Sequence, residues 1–271
     1  MDFIHAKIKS KLIPNNIRIA LCQKKIGILI DDSEKELIIN FSPHFVCLPE
    51  LFFINNKIEN YDQASKLEKE TKDYLQELSA ELNAILIGGT LIHKEPNGLI
   101  SRCYIYSKGQ EIGYYDKTNL TDKEKLAGFI NGNSQRFFTA YNVKFTVLIC
   151  NDIFCKKLFV DAKEEKCQMI FMPTGSPYKP QETIADKYKR DNDLYVARSK
   201  ISKCIIVKIC GIDEIFGNKL QGRSLIADYD GIKWRVKPED ELNECIALIE
   251  IKKMVWWNNG VDEMSKLTHF F

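Results

Sequence analysis

Three residues whose types suit nucleophilic catalysis each stand at the end of a short strand-like segment. Cys150 closes an apolar run, Glu50 follows a proline that ends a second run, and Lys117 ends a third, tyrosine-rich run. Proline stops strand pairing, so Glu50 lies just beyond a strand end. Equivalent positions on separate strands can meet at one edge of a sheet, and we expect the three side chains to do so. Taken alone, Cys150 is more typical of a buried core thiol.

A cysteine thiol needs help to become a good nucleophile. Its pKa of about 8.5 leaves only a few per cent as thiolate at neutral pH. Glu50 is the candidate base for the thiol proton, and Lys117 is the candidate cation that holds a developing oxyanion and lowers the thiol pKa. The backbone N–H of Asn151 is the second predicted oxyanion donor, and Asp152 is expected to brace the turn.

Five motifs occur in a recognisable order along the chain. They are residues 17–23, residues 48–50, residues 115–120 with Glu124, Phe129 and Gly132 beyond them, residues 149–152, and residues 222–224. In this order they resemble the nitrilase superfamily of carbon–nitrogen hydrolases, over about residues 17–260. The resemblance implies a Glu50-Lys117-Cys150 catalytic triad. It also implies that Glu124, in a polar stretch, is a second cleft acid that positions Lys117 or the leaving amine; the less favoured alternative is a solvated loop acid.

Three positions depart from the family pattern. Asn151 stands where an aromatic residue usually follows the nucleophile, and residues 153–157 replace an Arg-Phe-Pro-Glu segment. Ile201 stands where a glutamate partner for Arg198 is expected. Asp152 favours the amidase and carbamoylase branches over true nitrilases. The resemblance therefore predicts the core chemistry but no particular substrate.

The loop of residues 174–178 follows a buried strand at the same predicted sheet edge, where loops commonly carry specificity. We expect Thr174, Gly175 and Tyr178 to contact substrate, together with Phe52 and Tyr115. Arg190, Lys179 and Tyr178 are candidates for binding a carboxylate or phosphate of the substrate, although such residues are also common on surfaces.

Composition excludes several classes of protein. The 271 residues are 45% hydrophobic and 28% charged with a net charge of +2, which is typical of a globular chain and offers no general attraction to nucleic acid. No apolar run is long enough for a membrane span, and no leader-like segment opens the chain. The nine cysteines are odd in number and lack zinc-site spacing. We therefore expect a cytoplasmic protein with neither metal nor other cofactor.

Strand-like and helix-like segments alternate, with a helix predicted over residues 61–83 and a hairpin around the turn at residues 108–110. This alternation predicts an α/β protein with stacked sheets. The resemblance implies a four-layer α-β-β-α sandwich in a single domain. We expect residues 1–16 to form an arm, residues 17–252 the domain, and residues 253–271 an aromatic tail. In relatives such tails cross to another subunit, so we expect a homodimer or larger homo-oligomer; the alternative is that the tail folds back on its own chain.

The sequence thus predicts a hydrolase of a non-peptide C–N bond, an amide or N-carbamoyl group, in a small molecule through a thioester. Two alternatives remain open. An amine or alcohol could intercept the thioester, which would make the protein an acyltransferase, or the chain could be a catalytically silent binding relative.

Overall fold

Two β-sheets face each other across an apolar core. The computed structural model describes residues 2–253. Within it, the Phe45 ring from one sheet packs against Phe145 and Phe171 from the other, with ring centroids 5.3 and 4.9 Å apart. All three rings are fully buried, so they hold the sheets together by apolar burial.

Sixteen strands are present among the described residues. They are β1 Asp2–Ser10, β2 Ile17–Gln23, β3 Phe45–Leu48, β4 Ile85–Gly88, β5 Leu91–Glu95, β6 Gly98–Ser107, β7 Gln110–Asp116, β8 Phe137–Ala140, β9 Val143–Val147, β10 Met169–Thr174, β11 Ile205–Cys210, β12 Asp213–Ile215, β13 Asn218–Leu220, β14 Leu225–Asp228, β15 Gly231–Arg235 and β16 Cys245–Lys253. The first sheet has the order β1-β16-β2-β3-β4-β6-β5 with β7 also paired to β6, the second has the order β15-β14-β11-β10-β9-β8, and β12 pairs with β13.

Seven α-helices are present among the described residues. They are α1 Asp32–Phe41, α2 Tyr61–Ser65, α3 Glu68–Leu82, α4 Asp122–Leu126, α5 Lys156–Glu164, α6 Ile184–Asp191 and α7 Ala197–Ser202. Apolar residues of α1 and α3 pack on the first sheet, and those of α5 pack on the second. These contacts confirm the α/β class and the single domain, with helices, two sheets and helices as successive layers.

A π-helical turn, Asn192–Val196, joins α6 to α7 without a break in the helix. It places Tyr195 and Leu194 toward the carboxyl end of β10, where Thr174 lies. Such turns are often found at functional sites.

The hairpin expected around Lys108 and Gly109 is present between β6 and β7. Both turn residues have positive φ, 51° and 78°, which is the backbone of a type I′ turn. The hairpin brings the end of β7, and hence Lys117, back toward β3.

The prediction of an arm over residues 1–16 is wrong for residues 2–10, which form β1. This strand pairs in parallel with β16 at the sheet edge. Alternating Ile4, Ala6 and Ile8 pack against the core, so the apolar pattern of the segment is satisfied by a partner from the other end of the chain. The predicted tail interface concerns residues outside the described range.

Two local expectations also differ from the structure. The helix expected over residues 61–83 is broken between α2 and α3, and the polar loop after Lys117 contains α4. Thr121 and Glu124 form a reciprocal capping box at the start of α4, which gives this short helix its beginning. No helix in residues 2–253 combines the length and apolar character of a membrane span.

Replacing Phe45 by alanine should lower the free energy of unfolding by about 3–5 kcal/mol, because a cavity would open between the sheets. The matched control is Phe154→Ala, since Phe154 is 59% exposed and its loss should cost less than about 0.5 kcal/mol. Denaturant unfolding of both variants checks this. Equal losses would contradict the sheet-on-sheet core.

Candidate active site

Glu50 and Lys117 lie together at the edge of the first sheet. Glu50 follows β3 and Lys117 follows β7, and Lys117 Nζ is 3.1 Å from Glu50 Oε1. Lys117 is only 1% exposed and Glu50 7%. A buried ammonium needs such a partner, because an unpaired charge away from water is costly.

Glu124 holds the same ammonium from a second side. Its Oε1 lies 2.7 Å from Lys117 Nζ, and its Oε2 accepts hydrogen bonds from the N–H and hydroxyl of Thr121 at 2.7 and 2.9 Å. The interpretation of Glu124 as a solvated loop acid is wrong, because the side chain is buried. Its contact with Lys117 is direct.

Burial alone would lower the pKa of Lys117, but the neighbouring Glu50, Cys150 and Glu124 outweigh it and raise that pKa above its ordinary value. The side chain is therefore a permanent cation in the cleft. It can stabilise negative charge, but it cannot serve as a base.

Cys150 begins a short 3-10 turn, Cys150–Phe154, after β9. Its φ is +41°, a left-handed conformation that is strained for a residue with a side chain. The turn directs Sγ into the cleft, where it contacts the carbonyl oxygen of Gly175 at 3.6 Å. The Gly175 N–H donates to Glu50 Oε2 at 2.6 Å, so one backbone residue touches both side chains.

Asp152 fixes this turn from behind. Its carboxylate accepts hydrogen bonds from the Ile149 and Asn119 N–H groups at 2.8 and 2.7 Å and from the Tyr115 hydroxyl at 2.9 Å. Burial raises the pKa of Asp152 to about 6, although these donors act to lower it. These three bonds help offset the cost of the strained residue at 150.

Asn151 ties the turn to the loop after Lys117. Its side-chain amide donates to the carbonyls of Asn119 and Leu120, both at 3.2 Å, and the Asn119 amide donates back to the Asn151 carbonyl at 2.8 Å. Asn151 departs from the family pattern, and its side chain holds the turn against the loop. Its backbone N–H remains the predicted oxyanion donor.

The electrostatics of Cys150 differ from the sequence expectation. Burial, and next the negative charge of Glu50, raise the pKa of the thiol well above its ordinary value, although Lys117 acts to lower it. The lowering of the thiol pKa that the sequence predicts for Lys117 is therefore outweighed. A neutral thiol becomes a good nucleophile only when a base removes its proton.

Arg198 has a different partner from the one that the family pattern suggests. Its guanidinium donates to the Ile153 carbonyl at 2.7 Å and lies over the Phe159 ring. Arg198 thereby links α7 to the turn that carries Cys150, although position 201 holds an isoleucine and not the glutamate of the family pattern.

Two cavities meet at Cys150, and both are also lined by Thr121, Gly175 and Pro177. The cavity of about 380 Å³ contains Glu50, Lys117 and Glu124, and we call it the base-side cavity. The cavity of about 290 Å³ extends toward α6 and contains Leu194, Tyr195 and Lys208, and we call it the helix-side cavity. A small molecule can therefore reach the sulfur with a different part in each cavity.

The predicted substrate contacts divide into two groups. Thr174 and Gly175 line the helix-side cavity. Phe52, Tyr115 and Tyr178 line neither cavity. Phe52 packs between the first sheet and its helices, the Tyr115 hydroxyl is taken by Thr118 and Asp152, and Tyr178 lies beneath Lys219.

The sequence reasoning missed Lys208 and Asp191, which line the helix-side cavity. The available signal was a lysine within the otherwise apolar strand β11. Arg190 and Lys179 line the same cavity, as their predicted role in anion binding requires. Within residues 2–253, no cluster of three or more His, Cys, Asp or Glu side chains is placed to bind a metal ion.

Solved structures of other proteins have a similar fold. The structure is similar to an amidase from Nesterenkonia sp., with a TM-score of 0.71 and 15% identity over 88% of this chain and 91% of that one. It is also similar to a CN-hydrolase superfamily protein from Xanthomonas campestris whose active site carries an arsenic adduct, with a TM-score of 0.70 and 17% identity over 88% and 91%.

In sequence, the chain is 22% identical over 195 residues to a glutamine-dependent NAD(+) synthetase from Acinetobacter baylyi. The match covers 69% of this chain and 34% of that protein. The chain thus spans about a third of the length of this curated relative. The family model described as carbon-nitrogen hydrolase matches residues 42–258. Because that match extends over most of the sequence, the chain belongs to the carbon–nitrogen hydrolase family.

Proposed function

We propose that the protein hydrolyses a non-peptide C–N bond, in an amide or N-carbamoyl compound, through a thioester on Cys150. The observation that carries this proposal is the buried contact of Lys117 with Glu50 and Glu124 beside the Cys150 sulfur. The arrangement supplies a nucleophile, a base and a fixed cation in one cleft. Family membership supports the same class of chemistry.

In the first half of the reaction, Cys150 attacks the carbonyl carbon while its proton passes to Glu50. The carbonyl oxygen becomes an oxyanion, which Lys117 and the Asn151 N–H stabilise. The C–N bond then breaks, and Glu50 returns the proton to the departing nitrogen. Ammonia or an amine leaves, and the acyl group remains on sulfur.

In the second half, Glu50 takes a proton from water, and the resulting hydroxide attacks the thioester. The oxyanion forms at the same donors, the C–S bond breaks, and Glu50 gives its proton to the sulfur. The product is a carboxylic acid, or a carbamic acid from a carbamoyl substrate. Both halves use Glu50 in the same proton-shuttling role.

Cys150→Ala should lower ammonia release from a pool of small amides by on the order of a thousandfold or more, because no thioester can form. The matched control is Cys155→Ala, which removes another partly exposed thiol five residues along the chain and should keep activity within a few-fold. Enzyme-coupled ammonia detection provides the measurement. Ammonia release that survives in Cys150→Ala would overturn the proposed nucleophile.

Glu124→Gln should lower kcat by about 10- to 100-fold with a smaller change in KM, because Lys117 loses one of the two carboxylates that position it. Glu59→Gln is the control, since Glu59 lines the same cavity but is exposed. Steady-state kinetics on the best amide separate the two variants. Equal effects would indicate that Glu124 acts only through the general charge of the cavity.

The rate of Cys150 alkylation by iodoacetamide should keep rising from pH 7 to pH 9. The raised thiol pKa means that the neutral form dominates at pH 7, and each increase in pH adds thiolate. Peptide-resolved mass spectrometry follows the modification at Cys150. A plateau below pH 7 would instead indicate a resting thiolate paired with Lys117.

A further inference from the structure

The two cavities can hold different parts of an amide substrate, the leaving nitrogen in one and the acyl group in the other. Glu50 must return a proton to the leaving nitrogen, so that nitrogen lies on the side of the base-side cavity, which Glu50 lines. Glu50 is not among the residues that line the helix-side cavity. The acyl substituent of the substrate is therefore directed into the helix-side cavity.

The helix-side cavity combines apolar walls with a buried cation. Ile153, Leu194 and Tyr195 contribute apolar surface, and Lys208 reaches the cavity from the interior of β11. Lys208 is only 3% exposed. A lysine this deeply buried needs negative charge nearby, because desolvation disfavours the ammonium.

The carboxylate beside Lys208 is already engaged elsewhere. Among the described residues, Asp191 is the ion-pair partner of Lys208, at 4.0 Å. Asp191 Oδ2 is much closer to Arg223 Nη2 and Arg235 Nη1, at 2.7 and 3.1 Å. The Tyr195 ring, 4.9 Å away, and the Cys210 thiol also lie near the ammonium. Burial acts to lower the pKa of Lys208, but Cys210, Tyr195 and Asp191 together raise it above its ordinary value. Within residues 2–253, the ammonium therefore stays charged but has no carboxylate at hydrogen-bonding distance.

The surrounding ion-pair network carries more positive than negative charge. It consists of Lys187, Arg190, Lys208, Arg223 and Arg235 with Glu182, Asp191 and Glu241. Cations outnumber carboxylates in this set. The helix-side cavity is therefore electropositive where Lys208 and Arg190 line it, and a bound anion would complete the balance.

On the basis of the proposed hydrolase function, we infer that Lys208 binds a carboxylate at the far end of the substrate's acyl chain. Arg190 adds positive charge at the same cavity. The volume of about 290 Å³ suits a short chain, and the apolar walls suit its methylene groups. The substrate class is then the monoamides of short dicarboxylic acids, with a dicarboxylate as the product.

The test compares glutaramate with pentanamide, a neutral amide of the same carbon number. The wild type should prefer glutaramate in kcat/KM, and Lys208→Met should lower the ratio of the two values by about 10- to 100-fold, since a charged hydrogen bond at a buried site is lost. Lys200→Met removes the same charge from an exposed position of α7 and should leave the ratio within about twofold. An unchanged ratio in Lys208→Met, or a wild type that prefers pentanamide, would overturn the inference.

A binding measurement separates this inference from the hydrolase proposal. Calorimetry with glutaramate and Cys150→Ala should show binding that is weakened about 10- to 100-fold when Lys208→Met is added. If Cys150-dependent hydrolysis of pentanamide occurs without preference for glutaramate, the inference fails and the hydrolase proposal stands. If neither amide is hydrolysed but glutaramate binds through Lys208, the hydrolase proposal loses support and the carboxylate site stands.

A final measurement needs no variant. Glutarate should protect Cys150 of the wild-type protein from iodoacetamide at a concentration at least about tenfold lower than pentan-1-ol does, because only glutarate carries the charge that Lys208 binds and neither compound can acylate the thiol. Equal protection by the two compounds would count against the carboxylate site. This comparison remains decisive if Lys208→Met fails to fold.

Discussion

The buried ammonium of Lys117 is the constraint on which the site depends. It contacts Glu50, at the end of β3, and Glu124, in α4, with Nζ–O distances of 3.1 and 2.7 Å. Removing either carboxylate would leave charge buried without its full complement, which is costly away from water. The cleft is therefore organised before a substrate arrives. In a water-poor site, a fixed cation stabilises an oxyanion more strongly than a mobile one, because little reorganisation is needed during the reaction.

The strained turn at Cys150 is the second part of the same arrangement. The positive φ of Cys150 is tolerated because hydrogen bonds hold the turn in place. Asp152 accepts three of them, and Asn151 joins the turn to the loop after Lys117. Gly175 completes the connection, since its carbonyl faces the sulfur and its N–H holds Glu50. A thiol with a raised pKa is a poor nucleophile until its proton is removed. In the proposed mechanism, Glu50 takes this proton during attack, and Gly175 contacts both side chains between which the proton passes.

Much of the fold could be predicted because its signals are local. Apolar runs gave the positions of β3, β9 and β10, and the Lys108-Gly109 turn indicated the β6–β7 hairpin. The strand β1 was missed because its partner, β16, lies at the opposite end of the chain, and a local pattern carries no record of that pairing. Phe52 and Tyr115, which are near Glu50 and Lys117 in sequence, line neither cavity, because strand and turn geometry directs both side chains into packed regions. Lys208 could not be assigned from β11 alone, since its surroundings depend on how α6 and the π-helical turn pack over the sheet.

The most direct test concerns the thioester that Cys150 is proposed to form beside Glu50 and Lys117. The protein is mixed with an amide that it hydrolyses and is quenched with acid within milliseconds. Mass spectrometry then locates the modified peptide. The account predicts a transient added mass equal to the acyl group, located on Cys150 and absent from the other eight cysteines. It also predicts that hydroxylamine removes this mass as the corresponding hydroxamic acid. Turnover without any acyl adduct on Cys150, or an adduct on another residue that forms and decays at the rate of turnover, would contradict the account.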